Sequence, residues 1–261
     1  MNNHGYAIFD LDYTLIPHDT IFLFANYILK KQRWKIFYLF FVISVIPLAI
    51  LKIFTSKELK QVFLSFIWHI PQDTLDEYAK SFVKEIVIPK IYPELLQEIK
   101  EQKIQKKILI LNTASPDFYA KYIGEELGFD YTIATPILLK EKQSLFPKII
   151  GENNKSYAKI KRMQSLLPEN IQNQFKKYNP INPKKPEFPF ILKNSISYSD
   201  SIADLPLLRL TEKAKIINPE NQELIKEAKI KNWEILTPQK PFKNKFQKYF
   251  ICFLQSIGLY L

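Results

Sequence analysis

Hydrophobic positions along the chain fall into short unbroken runs separated by longer stretches with helical spacing. Gly5–Phe9 is a short apolar run that ends at a polar loop, which predicts a buried strand. Comparable runs recur at Lys107–Leu111, Tyr131–Thr135, Ser195–Ser199, Lys215–Ile217 and Trp233–Leu236. Amphipathic stretches lie between several of them. One opens at Pro116-Asp117-Phe118 and closes near Gly128, a residue suited to a helix C-cap. Another opens at Asn218-Pro219, with proline in a favoured first-turn position and acids close behind. Strand and helix alternating in this way predict an α/β fold on a parallel sheet.

Residues 16–90 break the alternation and show helical patterns only. Thr55…Glu58 and Asp73…Asp76 read as capping boxes, the second with Asp in place of Glu. We expect a helical insertion between the first and second strands. Within it, Ile36–Leu51 carries no charge and is bounded by Lys30, Lys31, Arg33, Lys35 and Lys52. The run is shorter than the roughly 20 residues a membrane span needs, and Pro47 interrupts it. A second apolar run, Tyr249–Leu261, follows Lys240, Lys243, Lys245 and Lys248. Basic flanks beside aliphatic and aromatic residues suit contact with a membrane surface; burial against other helices is the alternative. Lys176–Lys193 is rich in Pro, Lys and Asn and reads as an exposed loop.

Composition narrows the picture. The chain has 261 residues, 47% of them hydrophobic, enough for one large domain or a domain with an inserted smaller one. A single cysteine, Cys252, rules out an internal disulfide and fits a reducing compartment, and the three histidines show no zinc-ligand spacing. No secretory signal is evident at the start. The net charge of +11 rests almost wholly on lysine, with Arg33, Arg162 and Arg209 the only arginines. That balance, without a nucleic-acid motif, argues against base reading. It leaves two uses for the charge, solubilising the surface or attracting anionic lipids and phosphorylated substrates.

The chemistry concentrates in Ile8-Phe9-Asp10-Leu11-Asp12-Tyr13-Thr14-Leu15. Two carboxylates at the end of a strand reach the loop region where open α/β sheets bind ligands. So close together, they attract a divalent cation, most naturally Mg²⁺. One carboxylate can attack phosphorus while the other moves protons. Three further segments follow in order: Ile108–Phe118 with Thr113 and Ser115, Lys159-Ile160-Lys161 with Lys155 as the rival lysine, and Tyr198–Leu208 with Asp200 and Asp204.

These four motifs resemble those of the haloacid dehalogenase (HAD) superfamily, and Ser115-Pro116-Asp117 resembles its phosphoserine-phosphatase-like branch, subfamily IB. The likeness covers roughly residues 5 to 237. It implies a Rossmann-like parallel sheet core of residues 1–15 and 91–240, a helical cap at 16–90 with the apolar segment, and a basic, apolar tail at 241–261. It also implies roles. Asp10 is the nucleophile that becomes an aspartyl-phosphate, and Asp12 is the general acid and base. Thr113, Lys159 and Ser115 bind the phosphoryl group, and Asp10, Asp12, Asp200 and Asp204 form the Mg²⁺ site, Asp12 through its backbone carbonyl and Asp204 by supporting the site or by orienting Lys159. Tyr13 stands where the family often has a small residue, and Asp19 matches an acid that phosphoserine phosphatases place soon after the first motif. The absence of arginine between residues 34 and 160 counts against phosphoserine.

The uncharged run after the first motif resembles bacterial phosphatidylglycerophosphate phosphatases of the same superfamily. A lipid phosphate monoester at the inner face of the cell membrane is therefore the leading expectation, in a cytoplasmic, peripheral or anchored protein that does not bind nucleic acid. A soluble phosphatase for small metabolites is the alternative. A non-catalytic membrane-associated binding module, its active site blocked by Tyr13, is a third reading.

Overall fold

The computed structural model describes residues 5–177 and 188–260. Six strands form one parallel sheet: β1 (Tyr6–Phe9), β2 (Ile108–Pro116), β3 (Tyr131–Thr135), β4 (Leu192–Ser199), β5 (Thr211–Ile217) and β6 (Glu234–Leu236). Their order is β3-β2-β1-β4-β5-β6, with every neighbouring pair parallel. Helices cover both faces, which is why β1 is wholly buried and reads as an unbroken apolar run. Phe9 stacks on Tyr198 of β4 at 4.0 Å between ring centroids, locking the two central strands together. The chain leaves β1 toward β2 on one side and later returns to β4 on the other. That reversal opens a crevice at the strand ends, where such sheets bind ligands.

Between β1 and β2 lie α1 (Thr20–Lys31), α2 (Tyr38–Ile50), α3 (Ser56–Phe63), α4 (Gln72–Phe82) and α5 (Pro93–Ile104). The Thr55–Glu58 capping box is complete, each side chain bonding the other's backbone N–H. The second expected box is absent. Pro71 occupies the N-cap of α4, so Asp73 lies inside its first turn, and Asp76 pairs instead with Lys80 and Lys121 and accepts from Tyr122. After β2 comes α6 (Asp117–Leu127), ended by Gly128 at φ 67°, a left-handed cap that glycine adopts without strain. Gly124 lets that helix lie on the sheet, since a Cβ there would meet Thr132 Oγ1 at 1.9 Å.

The remaining helices are α7 (Tyr157–Met163), α8 (Glu169–Lys177), α9 (Leu205–Leu210), α10 (Gln222–Ile230) and α11 (Lys245–Ser256). Here α10 begins later than its proline suggests. Asn221 is its N-cap, accepting from Leu224 N, and Pro219 precedes the helix. Of the expected loop at 176–193, residues 178–187 lie outside the described residues. Its later part is not loose: Phe188 and Phe190 pack on Phe175 of α8.

The C-terminal segment folds back onto α1. Asn26 and Tyr260 exchange two hydrogen bonds, and Tyr38 at the start of α2 donates to Ser256 O at 2.8 Å. His18 sits buried between Gln255 and Tyr260, and burial lowers its pKa to about 4, so the ring stays neutral.

Candidate active site

The ends of β1, β2 and β4, with the starts of α1, α3 and α7, surround a cavity of about 360 Å³. Asp10, Asp12, Asp19, Asp200 and Asp204 line it together with Lys60, Lys155, Lys159 and Ser115. Two larger surface cavities, of about 410 and 520 Å³, gather no comparable carboxylates around a buried lysine.

Asp10 follows β1 directly, its backbone N–H donating to Tyr198 O of β4 at 3.0 Å. The turn that follows is tight: Thr14 and Leu15 N–H both return to Leu11 O, and Tyr13 takes φ 58°. This turn aims three side chains at one place. Lys159 lies between two of the acids, 2.7 Å from Asp10 Oδ1 and 2.7 Å from Asp204 Oδ2. Burial opposes the lysine's charge, but Asp10 and Asp204 outweigh it and hold its pKa above the ordinary value. Burial raises Asp10 to about 6 despite Lys159, with Asp204 and Asp12 adding repulsion. Asp200 is pushed well above the usual carboxylate range by burial first, then by Asp10 and Asp204.

Asp12 is held through both oxygens. Thr20 N and Thr20 Oγ1 each donate to Oδ1 at 2.7 Å, and Ser115 Oγ donates to Oδ2 at 2.6 Å. Thr20 in turn meets Ser115 and Tyr119, so the side chain at the helix start is fixed from three sides.

No group of three or more His, Cys, Asp and Glu side chains among the described residues is arranged around a metal ion. All four residues expected at the metal, Asp10, Asp12, Asp200 and Asp204, nevertheless line the one cavity, Asp12 being expected there through its backbone carbonyl. Asp204 Oδ2 is taken by Lys159 and Ser199, while Asp12 faces Thr20 and Ser115. Asp10 and Asp200 are the pair left facing each other. Thr14 Oγ1 lies 3.3 Å from both Asp10 Oδ2 and Asp200 Oδ1, and its single proton serves one of them at a time. Two buried, mutually repelling carboxylates fit Mg²⁺, which is commonly held by one or two carboxylates and completed by water and substrate oxygens.

Among the phosphate-binding expectations, Ser115 lines the cavity and Thr113 does not. Thr113 is fully buried because its hydroxyl turns back to accept from Ser115 N at 3.0 Å. Of the rival lysines, Lys159 makes the ion pairs and Lys155 stands at the cavity wall. Tyr13 does not block the cavity. Its ring is held against the C-terminal segment, with Lys248 Nζ 3.8 Å from the ring centroid and the hydroxyl 3.4 Å from Cys252 Sγ.

Sequence reasoning missed Lys60. It projects from α3 and donates to Ala114 O and Asn153 Oδ1, both at 2.8 Å. Burial lowers its pKa, while Asp19 and Asp12 act to raise it. Asp19 caps α1 by accepting from Ile21 N, and burial together with Asp12 brings it to about 7. The capping box set the phase of α3, but nothing in the sequence said which wall Lys60 would meet.

Residues 7–209 match the haloacid dehalogenase-like hydrolase family, and the chain belongs to it. A histidinol-phosphatase of Neisseria meningitidis serogroup C is similar, at 27% identity over 246 residues, covering 88% of this chain and 97% of that protein. A protein of unknown function from Bordetella pertussis Tohama I shares the fold, with a TM-score of 0.64 and 19% identity over 89% of this chain and 98% of that one. A phosphoserine phosphatase with a phospho-aspartyl intermediate analogue matches with a TM-score of 0.52 and 17% identity, over 94% and 98% of the two chains. At these identities the two structures speak for the fold alone.

Proposed function

We propose that this enzyme hydrolyses phosphoric monoesters through an aspartyl-phosphate on Asp10. The chain is a phosphatase of its family, and one observation carries the mechanism: a buried Asp10 paired with Lys159, beside an Asp12 oriented through both oxygens. Asp10 attacks phosphorus while Asp12 gives a proton to the departing alcohol oxygen. Asp12 then takes a proton from water, which attacks the aspartyl-phosphate, releasing phosphate and restoring Asp10. Lys159 stays with the reacting group and offsets the charge that develops on the phosphoryl oxygens, with Ser115 at the same wall. Asp204 is a positioning residue that holds Lys159 in place. Asp10 and Asp200 would hold Mg²⁺, which supplies positive charge to the phosphoryl oxygens.

The substrate head is polar and anionic. Most residues of the cavity wall are carboxylates, lysines, serines and asparagine, with Tyr13, Ile21, Ala114, Pro116 and Ala203 between them. A lipid phosphate meets this requirement if only its head enters, and the bare apolar helix α2 near the cavity favours that substrate. A small soluble ester is the second reading, favoured by the relative named a histidinol-phosphatase. Phosphate release from lipid phosphates in mixed micelles and from soluble monoesters, with and without Mg²⁺, tests both. Turnover of lipid phosphates alone supports the first and turnover of soluble esters alone the second; no turnover of any ester by the folded protein would defeat the proposal.

A further inference from the structure

Helix α2 contradicts the rule for surface helices. It contains no charged residue in Tyr38–Ile50, yet Phe37, Phe40, Ile43 and Ile50 are 72%, 71%, 61% and 75% exposed on one side of it. Leu51 and Ile53 extend the same bare hydrocarbon beyond its end. A water-facing helix side is normally polar, so a continuous exposed apolar side of this kind marks an interaction surface.

The charge around it selects the occupant. Residues 20–57 contain no Asp or Glu and six Lys or Arg; Lys30, Lys31 and Arg33 stand exposed at one end of α2 and Lys52 at the other. The acid-free C-terminal stretch, joined to the start of α2 through Tyr38 and Ser256, adds four more lysines. Together these two stretches account for nearly all of the net charge of +11. A second copy of this chain would bring the same positive collar and be repelled. An anionic bilayer surface complements both the collar and the hydrocarbon.

We propose that α2 docks this protein onto an anionic membrane by lying in the headgroup region, without crossing the bilayer. Arg33–Ile50 has the length and composition of a span, but its first turns are tied to the protein. Lys35 is buried and donates to Trp68 O, and Tyr38 is buried against the C-terminal segment. The thirteen residues of α2 extend about 20 Å, short of a hydrocarbon core of about 30 Å. Pro47 also leaves the Ile43 carbonyl without its helical donor, which water at the interface satisfies and hydrocarbon does not.

The placement has a consequence for the active site. Ile53 is followed within three residues by Ser56, which lines the cavity, and α3 then carries Lys60 into it. A membrane under α2 therefore lies beside the cavity mouth. Docking does not depend on which ester is cleaved, so it stands or falls separately from the substrate.

The test is co-sedimentation of the full chain with vesicles of phosphatidylcholine alone and with added phosphatidylglycerol. Wild type is expected to bind the anionic vesicles far more strongly and to be released by alkaline carbonate. The exposed triple variant Phe40→Ser/Ile43→Ser/Ile50→Ser should lose at least about tenfold in partitioning, with unchanged thermal stability and unchanged turnover of a soluble ester. Four results would overturn the proposal: no binding to either vesicle, equal binding by the triple variant, retention through carbonate, or a wild-type dimer that the triple variant dissociates.

Discussion

At the ends of β1 and β4, five carboxylates and three lysines crowd one cavity, and several of these charges are almost wholly buried. On α2, phenylalanine and isoleucine stand in water with no charged residue along the helix. The first region buries charge and the second exposes hydrocarbon, so each inverts the sorting that stabilises folded chains. The cavity has an internal remedy for part of its excess, because Lys159 bridges Asp10 and Asp204. Helix α2 has none on its outer side. The difference teaches how each site meets its partner: the cavity is preorganised and strained by like charge, while α2 is simply uncovered.

Removing chemistry from the cavity should have the largest effect. Asp10→Asn keeps the shape and deletes the nucleophile, so phosphate release should fall by about 10⁴-fold or more while the fold persists. Circular dichroism beside the activity assay checks both halves. Lys159→Met comes next, because it leaves Asp10 and Asp204 buried without their shared cation. Urea denaturation near pH 7 should show a loss of about 3–5 kcal/mol, as for a broken buried ion pair.

A third effect concerns pH. Asp10 holds its proton more tightly folded than unfolded, up to about 6, and Asp200 is raised in the same direction. Asp10's contribution to stability is present while it is protonated and is lost as pH rises through about 6, and Asp200 acts in the same direction. Mg²⁺ competes with those protons, so the increase in Tm that it produces should grow from pH 5 to pH 8. Thermal melts with and without Mg²⁺ across that range measure it, and a flat difference would separate the ion from these two carboxylates.

Lys60→Met should be milder, lowering kcat/KM by about 10- to 100-fold, since Lys60 lines the cavity without touching Asp10. The smallest effect belongs to the other region. Phe40→Ser and Ile43→Ser should each change stability by no more than about 0.5 kcal/mol, because both side chains already stand in water. A large loss at either position would mean that α2 is covered within the chain and would dissolve the contrast.

The fold was legible where burial is two-sided. The run at β1 announces itself because every position in it is apolar and buried, and Gly128 marks the end of α6. The second strand runs to Pro116, past the expected Leu111, because Asn112, Thr113 and Ser115 stay in extended backbone while hydrogen bonding to buried neighbours. Polar residues at a strand's functional end thus hide its length. In the site, the spacing of Asp10, Asp12, Lys159, Asp200 and Asp204 was readable because successive strand ends meet at one crevice. Thr20, Asn153 and Lys60 were not, because each contributes through a contact made only in the folded chain. The exposed side of α2 was also out of reach: an uncharged run has no preferred face until the fold covers part of it.

The central claim is that Asp10 carries the phosphoryl group. Acid quench of the enzyme during turnover of a good ester, followed by borohydride reduction and peptide mass spectrometry, reads it directly. An acyl phosphate on Asp10 is reduced to homoserine at that position, and the product should be absent without substrate and in Asp10→Asn. Full turnover with Asp10 unmodified, or homoserine at another aspartate, would contradict the account.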